Sequence, residues 1–133
     1  AKMRILIVED DFASRKFMLK FLSKFGECDI TVDGMEAVDA YLMALDADTP
    51  YDLVCLDIMM PALDGYQALK AIRDIEQERK IPEDQRAKII MTTALNEGAN
   101  VNKAFDLGCV AYAGKPIDQV KFESVLRKLE LID

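Results

Sequence analysis

Ile5, Leu6, Ile7 and Val8 form an unbroken aliphatic run that stops abruptly at Glu9, Asp10 and Asp11. A strand with one wet face alternates apolar and polar side chains. A run apolar at every position is buried on both faces, as in a parallel sheet covered by helices on either side. Similar short runs follow, so strands are expected at residues 4–8, 28–32, 53–56, 88–91 and 110–113. Between them apolar residues recur at helical spacing: residues 12–25 place Phe17, Met18, Phe21, Leu22 and Phe25 on one face, and residues 35–45 and 66–78 repeat the pattern. A weaker helix over about 101–107 closes at Gly108, and a last one over 119–131 has Asp118 as its cap. This βα alternation predicts an α/β, three-layer sandwich around a parallel sheet. Residues 46–50 and 79–86 read as surface excursions, neither long enough to mark a boundary, so residues 1–133 are expected to form one domain with no room for an output domain.

Composition narrows the chemistry. Twenty-four acidic against 17 basic residues give a net charge of −7, which repels nucleic-acid backbones and anionic lipid. The chain has no histidine, so the usual zinc ligand and the usual general base are both missing. Cys28, Cys55 and Cys109 are odd in number and lie in apolar surroundings, which reads as reduced core thiols of a cytoplasmic protein. The run from Met3 to Val8 is too short for a signal peptide or a membrane span, and the seven methionines are scattered as core filling.

In an open parallel sheet, ligands bind beyond the carboxyl ends of the strands. Here those ends deliver Glu9-Asp10-Asp11, then Asp57, then Thr92-Thr93-Ala94, then Gly114-Lys115-Pro116. Each aspartate taken alone is as readily the start of a surface loop. Four polar strand ends on one rim are not so easily dismissed. Asp10, Asp11 and Asp57 brought together would repel one another and require a positive partner. Hard oxygen ligands without histidine or thiolate select Mg²⁺, and Lys115 adds a compact positive charge. Such a set suits an anionic group that comes and goes, and aspartate is an established phosphoryl acceptor.

The stretches "ILIVEDD", "LVCLDIMMPALDG", "IIMTTA" and "AYAGKP", in that order and at strand ends, resemble the response-regulator receiver family of the chemotaxis type over essentially the whole chain. The resemblance implies a flavodoxin-like fold with strand order 2-1-3-4-5. It makes Asp57 the acceptor of a phosphoryl group from a phosphohistidine. Asp11 and Asp57 would bind Mg²⁺ directly, Asp10 would assist through water, and the Met59 backbone carbonyl would complete the ligands. Lys115 and Thr93 would contact phosphoryl oxygens, Ala94 would leave the entrance open, and Tyr112 would turn inward with Thr93 as the switch. A cis Lys115–Pro116 bond is expected, and Gly114 departs from the larger residue usual there. The implied partners are a sensor histidine kinase or phosphotransfer protein as donor and a downstream effector or output domain. No direct nucleic-acid or membrane binding is implied, and a homodimer is left open. Such a protein is a switch that catalyses its own phosphoryl transfer and slow hydrolysis, rather than a turnover enzyme.

Met59 and Leu95 occupy the positions that in this family govern attack of water on the aspartyl phosphate; both are apolar, so a persistent phosphoryl group is expected. Three other readings fit less well. A phosphatase of the haloacid-dehalogenase type would want an acid where Met59 stands. A nucleotide or flavin module would want a glycine-rich loop after the first strand. A receiver that has lost phosphorylation would lack some of the acceptor-site residues, and all are present.

Overall fold

The computed structural model describes residues 3–60, 62–94 and 100–133. Five parallel strands, β1 (Met3–Val8), β2 (Gly26–Thr31), β3 (Leu53–Asp57), β4 (Lys88–Ala94) and β5 (Ala111–Lys115), lie in the order β2-β1-β3-β4-β5. They alternate with helices α1 (Phe12–Leu22), α2 (Gly34–Asp46), α3 (Gly65–Glu78), α4 (Val101–Asp106) and α5 (Gln119–Lys128). A 3-10 turn, Glu83–Gln85, punctuates the connection into β4. The expected three-layer α/β fold and strand order are both found.

The period-2 geometry of the strands sorts the core into two halves. Leu6 and Val8 of β1 pack with Val54, Leu56, Ile89 and Met91 beneath Ala37, Tyr41, Leu69 and Ile72 of α2 and α3. Ile5 and Ile7 point the other way, to Met18, Phe21 and Leu22 of α1 and Phe122 and Leu126 of α5. Each fully buried aliphatic side chain contributes roughly 1.5–3 kcal/mol relative to exposure, so the all-apolar run of β1 serves two cores at once.

All five helices begin with the same device. Asp11, Asp33, Asp64, Asn100 and Asp118 stand at the caps, each accepting a hydrogen bond from the backbone N–H three residues on. At α3 the Gln67 side chain returns the bond, completing a reciprocal box. These caps lie where strands hand over to helices, on the same rim as the strand-end polar residues. At the opposite rim, Glu76 is wholly buried yet satisfied. It accepts from the Tyr41 hydroxyl at 2.5 Å, the Ala87 N–H at 3.0 Å and Arg73 at 2.6 Å. Arg73 also donates to the carbonyls of Ala87 and Gly108, tying α3 to β4 and to the turn before β5.

Candidate functional site

Asp57 is the last residue of β3 and is only 3% exposed. It pairs in register with Thr92 of β4, so the sheet itself fixes its height. The loop that follows is folded tightly back: Ile58 N–H donates to the Thr92 carbonyl at 3.0 Å and Gly65 N–H to the Ile58 carbonyl at 2.9 Å. A Cβ on Gly65 would sit 2.4 Å from the Asp57 carbonyl oxygen, so only glycine lets α3 start this close to the site.

Lys115, at the end of β5, reaches across β4 toward β1 and β3. Its ammonium lies 3.3 Å from the Asp57 carboxylate and 2.5 Å from that of Glu9. Glu9 is buried, and its other oxygen accepts from the Asp11 N–H at 3.1 Å. Arg15 on α1 bonds the carbonyls of Glu9 and Asp10, both at 3.2 Å, and so steadies this loop. The Lys115–Pro116 peptide is cis, and Gly114 sits within the ladder opposite Thr93.

One oxygen from each of Glu9, Asp10 and Asp57 lies within 4.8 Å of the others. This differs from the expected trio of Asp10, Asp11 and Asp57. The Asp11 carboxylate is turned to α1, where it accepts from the Ser14 N–H at 2.9 Å; the Ser14 bonds hold its pKa below the ordinary aspartate value. Glu9 takes the place in the cluster that Asp11 was expected to fill. A cue was present in the sequence: an aspartate directly before a helical pattern is a preferred N-cap, and an N-cap carboxylate is committed to its own helix.

The electrostatics of the cluster are unbalanced. Burial raises the pKa of Asp57, the neighbouring Glu9 adds to this, and Lys115 only partly opposes it, leaving Asp57 pushed up to about 7. Burial acts against the charged form of Lys115, but Glu9 and Asp57 outweigh it and its pKa is raised. Three carboxylates against one ammonium leave two negative charges, an excess that one divalent cation balances. All the donors are hard oxygens, without histidine or thiolate among them, and this fits Mg²⁺ in preference to a soft metal.

Thr93 is fully buried one position beyond the Asp57 partner Thr92, and its hydroxyl donates to the Ala94 carbonyl at 3.2 Å. Tyr112 lies on β5 in register with Met91, on the same face as Thr93, half-buried against the α2–α3 core. Burial raises its pKa while the nearby Thr93 hydroxyl acts in the opposite direction. Met59 stands in the loop after β3 and is 51% exposed, and Leu95 lies outside the described residues. The described residues thus bring Asp10, Asp57 and Lys115 together with Glu9, set Thr93 and Tyr112 on one face of the adjoining strands, and leave Asp11 at its cap.

The model of the response regulator receiver domain matches residues 5–127. The chain belongs to the response-regulator receiver family. It is 32% identical over 130 residues to a two-component response regulator of Arabidopsis thaliana, covering 97% of this chain and 85% of that one. Among solved structures, the receiver domain of the Saccharomyces cerevisiae response regulator Ssk1, crystallised with the histidine phosphotransfer protein Ypd1, superposes with a TM-score of 0.79. Identity there is 27%, over 96% of this chain and 88% of that chain. The receiver domain of a sensor histidine kinase from Pseudomonas aeruginosa, with a magnesium ion coordinated in its active-site cleft, gives 0.76 at 27% identity, over 96% and 97% of the two chains. The chain spans 55% and 12% of the lengths of two other curated relatives, a transcriptional regulator and a histidine kinase. The buried Asp57 and Lys115 thus lie together at the carboxyl ends of the strands of a receiver fold.

Proposed function

We propose that this receiver is a phosphorylatable switch of a two-component phosphorelay, forming one domain over residues 1–133, with Asp57 as the acceptor. The observation that carries the reading is the burial of Asp57 in a three-carboxylate cluster facing Lys115 at 3.3 Å. A carboxylate oxygen of Asp57 attacks the phosphorus of a phosphohistidine, the P–N bond breaks, and its electron pair returns to the donor imidazole. Glu9, Asp10 and Asp57, with the Met59 carbonyl as a further oxygen ligand, would hold Mg²⁺, which would supply positive charge to this cluster and so favour the ionised form of Asp57. Lys115 pairs with one phosphoryl oxygen. Thr93 gives up its bond to the Ala94 carbonyl and donates to another, and Tyr112 follows into the space Thr93 vacates.

The donor is a histidine kinase or a phosphotransfer protein, and the readout passes to an effector or output domain through the α4–β5–α5 side. The likeness to a receiver crystallised with a phosphotransfer protein supports the first half of this statement. Three free thiols, two of them buried, support a reducing, cytoplasmic working place. The chain acts on itself and turns over no external substrate beyond its phosphodonor. Intact-mass spectrometry after incubation with acetyl phosphate and Mg²⁺ tests the proposal: one phosphoryl group is gained, the gain needs Mg²⁺, and Asp57→Asn abolishes it. Equal labelling of the Asp57→Asn variant removes Asp57 from the role.

A further inference from the structure

Helix α4 has only six residues, too few to hold its own shape, and α3 grips it at both ends. At its beginning, the Asn100 N–H donates to the Tyr66 hydroxyl at 2.7 Å, and that hydroxyl lies 3.4 Å from the Asn100 carbonyl. Asn100 is the cap on which the first turn depends: its side chain accepts from Lys103 N–H at 2.9 Å and its carbonyl from Ala104 N–H at 3.2 Å. At its end, Arg73 places two guanidinium nitrogens on the Gly108 carbonyl at 2.9 and 3.1 Å, and packs where a Cβ on Gly108 would stand. Gly108 has φ +107°, a conformation glycine tolerates best.

The two grips are unequal. The Arg73 end is charge-assisted, multiply bonded and backed by the wholly buried Glu76. The Tyr66 end is neutral, and its bonds face solvent. Bonds to a charged fork are roughly twice as strong as neutral ones, so the helix yields first at Asn100. Tyr66 also adjoins the switch face, since it packs on the same core as Tyr112 and lies near enough to influence that phenol. We propose that Tyr66 is a positioning residue for the switch, a latch on the first turn of α4, with the Arg73–Gly108 contact as the fixed pivot. With the latch closed, the Thr93 hydroxyl donates to the Ala94 carbonyl, and Tyr112 lies close to both Thr93 and Tyr66. Opening the latch therefore lowers the cost of turning Thr93 toward a phosphoryl group, by ordinary population shift.

The switching half of this inference rests on the acceptor role of Asp57; the latch half does not. Tyr66→Phe separates them, since it removes the hydroxyl and keeps the ring over which the Lys103 ammonium sits at 4.5 Å. Site-resolved hydrogen exchange on the intact chain is the first readout. The Asn100, Lys103 and Ala104 amides of the variant exchange about threefold to tenfold faster, while Cys109 and Val110 beyond the pivot are unchanged. Unchanged exchange at Asn100, or equal acceleration at both ends, overturns the latch. The second readout is the affinity for beryllofluoride with Mg²⁺, which rises about threefold to tenfold in Tyr66→Phe. If wild type binds beryllofluoride and the variant binds it no better, Tyr66 has no part in switching. If wild type shows no binding at all, the acceptor reading falls and the exchange result alone decides the latch.

Discussion

At Asp57, the proposed acceptor, two opposing requirements meet: a phosphoryl acceptor must be ionised, and a buried carboxyl prefers its proton. With its pKa raised to about 7 in the fold against roughly 4 in an open chain, the folded state binds the proton more tightly than the unfolded state. Its contribution to stability is then fully present below about pH 4 and is lost as pH rises through about 7. Asp57→Asn has no such loss. Without metal near pH 8, that variant is expected to be more stable than wild type by about 1–2 kcal/mol in urea titrations. The gap closes as pH falls toward about 4, and saturating Mg²⁺ near pH 8 narrows it. Equal stability near pH 8 without metal would mean that the cluster is not under charge strain. Met59, exposed at the mouth, offers no hydrogen bond to orient water, so the aspartyl phosphate is expected to persist for minutes or longer in purified protein. A time course of intact mass measures this, and decay within seconds contradicts it. At this scale the places of Asp57, Lys115, Thr93 and Tyr112 were legible in the sequence because each ends a strand or sits inside one. Glu9 was passed over, although Asp11, directly before a helical pattern, is a preferred cap and so leaves Glu9 and Asp10 as the acids free to face the cluster.

The elements follow from short-range rules, and where their ends differ from sequence expectation the cause is specific. β4 and β5 run on to Ala94 and Lys115, past the ends of their apolar runs. Thr92 and Thr93 are buried within the ladder although polar, so a hydrophobicity criterion cuts a strand short at the point where it delivers functional groups. α1 stops at Leu22 and not at residue 25, because Phe25 turns into the α1–α5 core and β2 starts at Gly26, whose missing Cβ admits the Met3 carbonyl. In the sequence alone, the Asp64-Gly65 pair is a tight-turn signature. In the fold, Gly65 is what allows α3 to begin against the Asp57 backbone. Gly65→Ala is expected to cost about 2–4 kcal/mol by chemical denaturation and to slow phosphorylation by acetyl phosphate. A stability loss under 1 kcal/mol with normal labelling would show that the loop can yield, against roughly that scale for overpacking.

Over the whole molecule, the two rims of one sheet do different work. The amino-end rim is closed by Tyr41, Arg73, Glu76 and the Ala87 and Gly108 backbone, a buried charge made tolerable by complete hydrogen bonding. The carboxyl-end rim gathers acids without full compensation and leaves room for a cation. The topology was legible because runs apolar on both faces fix parallel strands between helices, and the strand order came with the family resemblance. The membership of the cluster required coordinates. The account stands on the claim that the ends of β1 and β3 together hold one divalent ion through Glu9, Asp10 and Asp57. Isothermal titration of Mg²⁺ into wild type, Glu9→Gln, Asp11→Asn and Asp57→Asn tests it most directly. Glu9→Gln and Asp57→Asn are expected to weaken binding about tenfold or more, with Asp11→Asn within about twofold of wild type, since only the first two remove a ligand carboxylate. Loss of binding in Asp11→Asn with wild-type affinity in Glu9→Gln would contradict the account.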